Sequence, residues 1–558
     1  MRKKQRLGDI LVNHNMITPE QLEKALAAQK ESKKKLGEVL IDLGIIDENI
    51  ILKTLEAQLK IPYINLNEYI INPNAVKIIS ENIARRYNII PLNVEDGKIL
   101  LSMSDPLDVL AVDDVQVITG LSVKVVISSK SDIQKAISKY FDSSESAQEA
   151  VKEFDSQFRE IEEDQDEEAD DVANAPIVRL VNSMISQAAR LRASDIHIEP
   201  FEDMVRIRFR IDGELVENMV LPRKTHSALI TRIKIIGKLD IAERRIPQDG
   251  RVETVVDRIP IDLRISILPT VYGEKVVMRL LFRNAISVTK EQLGFTAYNL
   301  ELFDKIIKAP EGIILVTGPT GSGKSTTLYT VLRELNDIKK NIITIEDPVE
   351  YRLEGINQVQ VNTKAGLTFA SGLRSVLRQD PDIVMVGEIR DAETAQIATR
   401  AAITGHLVLS TLHTNDTAST ISRFIDMGVE SYMVSSSVIG VIAQRLVRRI
   451  CTRCKEVHEL TDEEKLITKD LGVNVAYKGK GCNYCSGSGY AGRIAIHEIL
   501  VMDRDIRRMI DRGNAIDEIK EEAIKKGMKT LNKTCVDLIN EGITTIDEML
   551  KITYSVDQ

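Results

Sequence analysis

The spacing of apolar residues changes along the chain, and the changes mark the elements that we expect. Between residues 6 and 58 the apolar side chains recur every three or four positions, which is the period of an amphipathic helix. Strict alternation at Val205–Ile211 and Ile261–Ile267 predicts two half-buried strands. From about residue 291 short apolar runs alternate with helical stretches, and from Ile506 onward the pattern is helical. The chain therefore combines helical, antiparallel and alternating α/β regions.

The helical N-terminal region contains an internal repeat. Two copies of 24 residues, Arg6–Gln29 and Lys35–Gln58, are separated by five residues, and each predicts a helix, a turn and a second helix. Mixed α/β sequence follows, with a strand expected at Lys98–Ser102 after the turn Glu95–Gly97. We therefore place an N-terminal tandem-repeat domain at residues 1–140.

Three further regions complete the predicted domain organisation. An acidic segment at 141–172 has too few apolar residues for a core and is interpreted as a flexible linker. Residues 173–288 form a second domain, whose alternating strands are accompanied by turns at Asp212-Gly213 and Asp249-Gly250. Strands and helices alternate in residues 289–558, which predicts an α/β domain with a mainly parallel sheet.

Composition and charge indicate a globular protein and argue against nucleic acid as a partner. Of 558 residues, 43% are hydrophobic and 28% are charged. No apolar run reaches the roughly 20 residues of a membrane span, and the basic N-terminus lacks the apolar core of a signal peptide, so we expect a cytoplasmic location. Of the net charge of −9, the segment Asp142–Asp171 alone holds 14 acidic residues against two basic ones, so the rest of the chain is nearly neutral. With no Trp and 4% aromatic residues, little surface is available for stacking bases.

The segment Gly318–Ser325, GPTGSGKS, fits the phosphate-loop pattern G-x-x-x-x-G-K-[ST]. The apolar run Ile313–Thr317 precedes it and helix-forming residues follow it, as this motif requires. Glycine lets backbone N–H groups surround phosphate oxygens at a helix N-terminus. Lys324 can neutralise charge on the β- and γ-phosphates, and the Ser325 hydroxyl can ligate Mg²⁺. The sequence therefore predicts a nucleoside triphosphate site.

Two later strands end in acids that can complete a hydrolytic site. The first begins at Asn341 and is followed by a second apolar strand, Asp382–Val386, that leads into Glu388. The second strand has the form of a Walker B segment, except that Gly387 stands where an Asp is usual. We expect Mg²⁺ to be bound by Ser325 and, through water, by Glu388. The carboxylates at the end of the first strand are Glu346, Asp347 and Glu350.

A third strand has a histidine at each end, His406 and His413. Acids after a strand are often only solvated loop residues, and a lone histidine is usually structural. Because ligands bind at the C-terminal ends of the strands in open α/β sheets, three such strand ends on one phosphate-loop domain favour a common site.

Four cysteines form two C-x-x-C pairs, Cys451/Cys454 and Cys482/Cys485, with 27 residues between the pairs. Each pair offers two thiolates for tetrahedral Zn²⁺, and a disulfide is not expected in the cytoplasm. We therefore predict a structural zinc site in the loop 451–485. Cys535 stands alone in a helical stretch and is interpreted as a buried small residue.

Four longer motifs resemble one family. They are similar to the secretion ATPase superfamily, above all to type IV pilus assembly ATPases and their type II secretion relatives, and the resemblance covers nearly the whole chain. It implies a RecA-like P-loop ATPase domain, a PAS-like α+β second domain, a zinc-binding C-terminal subdomain and assembly as a hexameric ring, beside the N-terminal helical-repeat/α+β domain. The motifs are ASDIHIEP at 193–200, TIEDPVE at 344–350, RQDPDIVMVGEIRD at 378–391 and GHLVLSTLHTND at 405–416.

The resemblance also implies roles in the ATPase site. It makes Glu350 the catalytic glutamate that activates the attacking water and Glu388 the Walker B acid. His413 matches a histidine that senses the γ-phosphate, with His406 beside it. The expected nucleotide-binding residues are Gly318, Pro319, Thr320, Gly321, Ser322, Gly323, Lys324, Ser325, Thr326, Glu346, Asp347, Arg374, Arg378 and His406.

Four arginines match positions that contact nucleotide in this superfamily. Arg264 and Arg279, on strands of the second domain, match arginine fingers that reach a nucleotide across the ring. Arg374 and Arg378 match arginines of the nucleotide site itself. An arginine binds phosphate bidentately and always carries charge. A surface ion pair is the alternative for each of the four.

The N-terminal repeat resembles the tandem 24-residue motif, with a five-residue spacer, of domains that bind cyclic di-GMP. In those domains the R-L-G start engages guanine and phosphates while leucines pack around the ligand. Two departures are Lys35, where the motif has arginine, and Asn15, where the second copy keeps Gly44. A helical docking domain that binds no dinucleotide is the alternative. The residues expected to bind cyclic di-GMP are Lys35 and the matching positions Arg6, Leu7, Gly8, Leu11, Leu22, Leu26, Gln29, Leu36, Gly37, Leu40, Leu55 and Gln58.

The leading interpretation is a hexameric ATPase motor that drives pilin polymerisation at an inner-membrane platform protein, bound peripherally at the cytoplasmic face of the membrane. The expected cofactors are ATP, Mg²⁺, Zn²⁺ and cyclic di-GMP. The type II secretion motor is the alternative within the superfamily. The tetracysteine loop resembles that of both and is absent from the shorter retraction ATPases, which counts against a retraction motor. A nucleic-acid translocase shares the RecA-like core but is disfavoured by the near-neutral charge, and a nucleotide sensor with little turnover is disfavoured by the full set of acids and arginines.

Overall fold

The structure is a computed structural model. It divides into two compact units, the first made of residues 1–281 with 480–488 and the second of residues 282–479 with 489–558. The predicted linker lies outside the described residues as far as residue 168, and its last four residues, 169–172, belong to a helix. The described residues are 8, 11–12, 16–32, 36–46, 50, 52, 54, 56, 59–66, 69, 71–95, 97–140, 169–256, 259–282, 288–469, 471–473 and 475–556.

The N-terminal part of the first unit contains the helical repeat and a small sheet. Where they are described, both copies show helix, turn and helix, and the turn of the second copy uses Gly44 with a φ of +64°. The strands are β1 (Ile89–Glu95), β2 (Lys98–Met103) and β3 (Ser122–Ile127), in that order, with β1 antiparallel and β3 parallel to β2. The predicted strand Lys98–Ser102 is therefore confirmed. The helices are Pro19–Ser32, Leu36–Asp42, Pro73–Val76, Glu81–Tyr87, Val109–Thr119 and Lys130–Tyr140.

The rest of the first unit is a six-stranded sheet with two helices, Ala169–Arg190 and His226–Gly237, and a 3₁₀ turn at Arg223–Thr225. Its strands are β4 (Asp195–Pro200), β5 (Met204–Ile211), β6 (Glu214–Pro222), β7 (Gln248–Val256), β8 (Ile259–Thr270) and β9 (Gly273–Phe282). They lie in the order β6-β5-β4-β9-β8-β7. Both strands predicted from alternation are confirmed, as parts of β5 and β8. So is the turn Asp212-Gly213, where both residues have positive φ and join β5 to β6.

The predicted turn at Asp249-Gly250 is wrong. Both residues lie inside β7, paired with Ser266 and Ile265 of β8. Glycine is needed here for space, because a Cβ on Gly250 would lie 2.6 Å from the carbonyl oxygen of Gly237 at the end of a helix. A close approach of two backbones was therefore mistaken for a reversal of the chain.

The second unit is built on a seven-stranded sheet. Its strands are β10 (Gly312–Thr317), β11 (Ile342–Glu346), β12 (Asn357–Gln360), β13 (Ile383–Val386), β14 (Leu407–Leu412), β15 (Val438–Ile450) and β18 (Tyr490–Val501). They lie in the order β12-β11-β13-β14-β10-β15-β18, and neighbours are parallel except for the edge strand β18. Strands β10, β11, β13 and β14 are buried along their whole lengths, as expected of a sheet covered on both faces. The predicted, mainly parallel sheet is confirmed.

Helices cover this sheet, and their starts follow from local sequence. Asp391, for example, accepts the N–H of Thr394 at 2.8 Å and so caps the helix that packs beside β14. The α-helices are Ala297–Ile307, Lys324–Leu335, Phe369–Val376, Ala392–Ile403, Thr417–Asp426, Ser431–Ser437, Asp462–Thr468, Arg504–Asp511, Ile516–Lys525, Leu531–Asn540 and Ile546–Val556. The last four confirm the helical pattern predicted from Ile506 onward. Short 3₁₀ turns occupy Lys290–Leu293 and Thr363–Ala365.

Strands β16 (Lys455–His458) and β17 (Ala476–Gly479) form a separate antiparallel pair between the two cysteine motifs. Among the helices that the structure describes, none combines the length and the apolar character needed to cross a membrane.

Candidate active site

The phosphate loop begins where β10 ends, between the neighbouring strands β14 and β15. Its glycines adopt backbone angles that other residues rarely reach, with φ of +144° at Gly318, +80° at Gly321 and +89° at Gly323. A Cβ on Gly318 would also collide with the carbonyl oxygen of Gln444, and one on Gly323 would lie 2.8 Å from its Nε2. Glycine is therefore required at these two positions for both conformation and space.

Lys324 opens the helix that follows the loop, and its side chain folds back over the loop. Its Nζ donates to the carbonyl oxygens of Gly318 at 2.6 Å and Pro319 at 3.1 Å, and the residue is 8% exposed. Burial lowers the pKa of Lys324 to about 8, while the charge of Glu388 opposes that shift. Ser325 is exposed at the start of the helix, so its hydroxyl is accessible to a ligand.

Glu388, after β13, lies beside His413, after β14. Its Oε2 is 3.5 Å from Nε2 of His413 and 2.6 Å from Nε of Arg390. Burial, and then the charge of Lys324, hold the pKa of His413 below its usual range, and Glu388 opposes this effect. An acid and a histidine from neighbouring strand ends thus meet within electrostatic reach of the phosphate-loop lysine, as expected at the C-terminal edge of a parallel sheet.

The three carboxylates after β11 lie in different environments. Glu346 is 4% exposed, and its carboxylate accepts hydrogen bonds from three neighbouring side chains. Asp347 is exposed and Glu350 is half-buried. The backbone N–H of Glu350 donates to the hydroxyl of Tyr329 at 3.3 Å. Glu346 is thus bound to the protein interior, whereas Asp347 and Glu350 are nearer to solvent.

Two side chains that the sequence did not predict, Gln444 and Arg445, border the loop from β15. The amide of Gln444 donates to the carbonyl oxygen of Ser322 at 2.8 Å and accepts from the hydroxyl of Thr327 at 2.7 Å. Arg445 is 7% exposed, donates to Oδ1 of Asn415 at 3.0 Å, and has its pKa lowered by burial. The signal in the sequence is weak, namely two polar residues that interrupt the apolar run of β15 more than 100 residues after the loop.

Comparison with known proteins connects this site with a family. The family model described as "Type II/IV secretion system protein" matches residues 169–551, which is more than half of the chain. The chain belongs to this family. A second model, the MshEN domain, matches residues 59–147.

Relatives in this family come from several bacteria. The type IV pilus assembly ATPase PilB of Myxococcus xanthus is 42% identical over 556 residues, covering 98% of both chains. The type II secretion system protein E of Xanthomonas campestris pv. campestris is 41% identical over 558 residues, again covering 98% of both. The structure of the Legionella pneumophila ATPase DotB covers 67% of this chain and 95% of its own, with a TM-score of 0.50 and 23% identity, and shows the fold alone. The predicted family and the predicted ATPase class are confirmed.

In this family member, His406 does not lie beside His413. His406 precedes β14, where its Nδ1 is 2.9 Å from the carbonyl oxygen of Ala401 and its own carbonyl accepts the N–H of Gly312 at 3.1 Å. The six residues of β14 separate the two histidines by about 20 Å at the usual rise of a strand. The prediction that His406 is next to His413 is wrong, because the two residues stand at opposite ends of the strand β14.

The two predicted arginine fingers lie in the first unit. Arg279, on β9, donates from Nε to Oδ1 of the buried Asp195 at 2.9 Å, and more than half of its side chain is exposed. Arg264, on β8, is half-buried and stands opposite Arg251 of β7 in the strand register. Their action on the nucleotide of another subunit stays a prediction.

The other two predicted arginines lie on or just after the helix Phe369–Val376. Arg374 forms an ion pair of 2.5 Å with Glu393, and both side chains are more than half exposed. Arg378 donates to the carbonyl oxygen of Arg374 at 2.9 Å and to Oγ of Ser375 at 3.1 Å. Within one chain Arg374 thus forms the surface ion pair of the alternative interpretation, whereas these contacts of Arg378 are to uncharged oxygens. Nucleotide binding by either residue stays a prediction.

The four cysteines of the predicted zinc site come together. Their Sγ atoms all lie within 4.8 Å of one another, and all four residues are buried. Sulfur atoms around tetrahedral Zn²⁺ at about 2.3 Å stand about 3.8 Å apart, and the Sγ atoms of Cys482 and Cys485 are 3.7 Å apart. The N–H of Cys482 donates to Sγ of Cys485 at 3.2 Å. This donor set fits zinc. The fifth cysteine, Cys535, is fully buried as predicted, and burial raises its pKa to about 12.

The second cysteine pair encloses Asn483, a residue for which the sequence predicted no role. Its Nδ2 donates to the carbonyl oxygens of Leu66, at 2.9 Å, and Tyr69, and its Oδ1 accepts from the hydroxyl of Tyr140 at 2.6 Å. Burial raises the pKa of Tyr140 to about 12, so that this hydroxyl remains a donor. These bonds connect segment 480–488 with the sheet-containing part of the first unit.

Among the predicted cyclic di-GMP residues, Arg6, Leu7, Lys35, Leu55 and Gln58 lie outside the described residues, as does Asn15. The MshEN match also begins at residue 59, after the tandem repeat.

The described members of the motif include core residues. Leu11 and Leu40 are fully buried, and a Cβ on Gly8 would lie 2.7 Å from Leu22 and 3.3 Å from Leu36. These residues pack the two copies of the repeat together. Leu26 is 41% exposed, Gln29 and Gly37 are half-buried, and ligand binding by the repeat stays a prediction.

Proposed function

We propose that the chain is the ATP-hydrolysing motor of type IV pilus extension, and that it drives pilin polymerisation. The observation that carries the proposal is the meeting of Lys324, Glu388 and His413 at a phosphate loop. It occurs in a chain that is 42% identical to a pilus assembly ATPase over 98% of both lengths. A phosphate loop alone binds nucleotide, whereas an acid and a histidine at the adjoining strand ends also supply groups for the γ-phosphate.

Each group has a separate task in hydrolysis. The N–H groups of the loop and the ammonium of Lys324 bind the β- and γ-phosphates. Without nucleotide this ammonium donates to the carbonyl oxygens of Gly318 and Pro319, which are uncharged and therefore weaker acceptors than phosphate. Ser325 and Glu388 offer the hard oxygen ligands that Mg²⁺ prefers, and bound Mg²⁺ neutralises charge on the phosphates. Glu350 orients the attacking water and accepts its proton, while His413, kept neutral by its lowered pKa, donates a hydrogen bond to the γ-phosphate.

Turnover in full-length protein tests these assignments. Lys324→Ala should abolish productive binding of ATP, and Glu350→Gln should retain binding but lose hydrolysis. Wild-type turnover in Glu350→Gln would refute the choice of catalytic base.

The arginine fingers require an assembly in which subunits meet around the nucleotide. We propose a homo-hexameric ring in which Arg264 and Arg279 stabilise negative charge at a neighbour's γ-phosphate. Arg264→Ala should then lower kcat with little change in the affinity for ATP. Mixing Arg264→Ala chains with Glu350→Gln chains should restore part of the activity, since some interfaces then combine an intact finger with an intact base. Activity of the mixtures no higher than the average of the two separate variants, in rings shown to contain both, would argue against action between subunits.

The type II secretion motor is the second candidate, because a protein E is 41% identical over the same extent. Deleting the gene in its natural host separates the two. Loss of surface pili with normal protein secretion, restored by the wild-type gene and not by Lys324→Ala, supports pilus extension at an inner-membrane platform protein on the cytoplasmic face. Intact pili with lost secretion would reassign the motor.

We further propose that cyclic di-GMP binds the N-terminal tandem repeat and regulates the motor. The resemblance of the repeat supports this, and the MshEN match at 59–147 begins directly after the second copy. Calorimetric titration of cyclic di-GMP into full-length protein tests it, with Arg6→Ala as the variant expected to lose binding and Arg512→Ala, remote in sequence, as the control. Absence of binding to the wild type would leave the ATPase proposal intact and make the repeat a docking domain.

A further inference from the structure

Tyr329 lies in the helix Lys324–Leu335, five residues after the phosphate-loop lysine. It is 1% exposed and is the largest of the fully buried side chains described. Because it belongs to the second turn of the helix that the loop starts, its position is fixed with respect to the loop. A buried tyrosine usually finds a partner for its hydroxyl, and here the partners lie on the segment that carries the predicted catalytic base.

The hydroxyl of Tyr329 makes two hydrogen bonds. It donates to Oε2 of Glu346, the last residue of β11, and accepts the backbone N–H of Glu350 at 3.3 Å. The carboxylate of Glu346 is held in turn by Oγ1 of Thr344 at 2.6 Å and Nε2 of Gln358 at 3.1 Å. The direction of each bond is therefore fixed, since the carboxylate can only accept and the backbone N–H can only donate.

The surroundings keep this hydroxyl protonated and oriented. Burial and the charge of Glu346 raise the pKa of Tyr329 far above its usual value of 10. The ring of Tyr351 meets the ring of Tyr329 edge-on, with centroids 4.4 Å apart, and burial raises the pKa of Tyr351 to about 12. Glu350 is thus anchored through its own N–H and followed directly by a half-buried aromatic residue that packs against Tyr329.

We propose that Tyr329 is a positioning residue for ATP hydrolysis, one that fixes the backbone of Glu350 with respect to the phosphate loop. The inference rests on the proposed function, in which Glu350 activates the attacking water. A catalytic base must stand within hydrogen-bond reach of its water, and a misplacement of about 1 Å can cost 100-fold in rate. The hydroxyl of Tyr329 connects the phosphate-binding helix with the segment after β11. The separation of these two parts sets the distance between Glu350 and the water that it activates.

The test is Tyr329→Phe in the full chain, which keeps the ring and its contact with Tyr351 and removes only the hydroxyl. We expect kcat to fall by about tenfold or more, with the KM for ATP and the affinity for a non-hydrolysable ATP analogue changed by less than about twofold. Tyr432→Phe, at an exposed tyrosine of the same unit, is the matched control and should keep wild-type kinetics. In a Glu350→Gln background, Tyr329→Phe should cause no further loss, because the group that it positions has been removed.

Hydrogen exchange gives a second readout on the same protein. The amide of Glu350 should exchange faster in Tyr329→Phe than in the wild type, while the amides of β10 should not change. Faster exchange with wild-type kcat would overturn the inference, as would an equal loss of kcat/KM and of nucleotide affinity, which is the result of a structural role. If Tyr329→Phe does not fold, Glu346→Gln disturbs the same arrangement, and an unchanged kcat there would also overturn it.

Failure of the proposed function has a different signature. If Glu350→Gln hydrolyses ATP at the wild-type rate, the assignment of the base is wrong whatever Tyr329→Phe does. If Glu350→Gln is inactive and Tyr329→Phe is fully active, the base stands and the positioning role is refuted.

Discussion

The Nε2 atom of Gln444 donates a hydrogen bond of 2.8 Å to the carbonyl oxygen of Ser322 in the phosphate loop. The same amide accepts from Thr327, in the first turn of the following helix. One side chain from β15 thus joins the loop to its helix. Because Gln444 is 1% exposed, water does not replace either bond when the amide is removed.

Gln444→Ala should therefore loosen the loop. The buried carbonyl of Ser322 and the hydroxyl of Thr327 would each lose a partner, at a cost of about 1–3 kcal/mol in the free energy of unfolding. We expect a lower melting temperature and a weaker affinity for ATP, measured by thermal unfolding and by nucleotide titration. Gln396→Ala is the control, because Gln396 also donates to a carbonyl oxygen, at 3.3 Å to Gly428, but is exposed. Equal effects of the two substitutions would mean that Gln444 has no special connection with the loop.

The sequence predicted those parts of the site that depend only on residues close together in the chain. The apolar strand before Gly318, the glycines that need positive φ, and the acids after buried strands are all visible in a window of about ten residues. Gln444 was not predictable in this way. Its place depends on the register between β10 and β15, which sets Thr317 beside Ala443, and register is determined by packing between distant segments.

For His406 and Gly250 the local pattern identified a notable residue but predicted the wrong position for it in the fold. The shared motif predicts two histidines side by side, but the six-residue strand β14 lies between them and puts them at its opposite ends. Asp-Gly is a common turn, yet Gly250 lies within β7, where the approach of the Gly237 backbone excludes a side chain. Residue type gives the candidate, and the direction of the chain and its neighbours decide the role.

The buried charge of Lys324 is predicted to lower the free energy of unfolding, although the residue is needed for ATP hydrolysis. Its folded-state pKa of about 8 lies below the usual 10.5, so the folded chain holds this proton less firmly than the unfolded chain does. Burial of the charged lysine therefore costs as much as about 3 kcal/mol below pH 8, and the cost disappears as the pH rises from 8 towards 10.5.

Lys324→Met should therefore abolish ATP hydrolysis and raise the melting temperature at pH 7 in the absence of nucleotide. The gain should shrink when the measurement is repeated at pH 9–10. Lys340→Met, at an exposed lysine of the same unit, is the control and should show no such pH-dependent gain. A lower melting temperature for Lys324→Met at every pH would show that the hydrogen bonds to Gly318 and Pro319 outweigh the cost of burying the charge.

Removal of zinc should destabilise the chain, because four buried Sγ atoms within 4.8 Å of one another fit a metal ion and metal binding is linked to folding. Cys482→Ser should lower the zinc content, measured by elemental analysis, together with the melting temperature, by several degrees. Cys535→Ala is the control, since Cys535 is buried away from the cluster and should leave one zinc ion per chain. A melting temperature unchanged after proven loss of zinc would contradict a structural role.

Asn483→Ala should leave the zinc content unchanged, because the side chain of Asn483 is not a metal ligand. It removes one hydrogen-bond partner of the Tyr140 hydroxyl and one of each of the carbonyl oxygens of Leu66 and Tyr69. With about 1 kcal/mol for each bond, the amides of Leu66, Tyr69 and Ile71 should exchange with solvent at least fivefold faster. Asn540→Ala, which removes a bond to Gly472 elsewhere, should leave those amides unchanged.

His497 should make the chain sensitive to acid. Its ring is fully buried and stacks on Phe295 with centroids 3.8 Å apart, and neither ring nitrogen has a hydrogen-bond partner among the described residues. Burial lowers its pKa to about 3, so between pH 6.5 and 3 only the unfolded chain takes up the proton, and stability falls as the pH decreases. At pH 5 the loss is about 2 kcal/mol.

His497→Phe keeps an aromatic ring against Phe295 and cannot titrate, so its melting temperature should fall less than that of the wild type between pH 7.5 and 5. His458→Gln, at a histidine paired with Glu464, is the control. Because it keeps His497, its melting temperature should still show the fall between pH 7.5 and 5 that His497→Phe reduces. If His497→Phe and the wild type lose the same stability over this range, the acid sensitivity arises elsewhere.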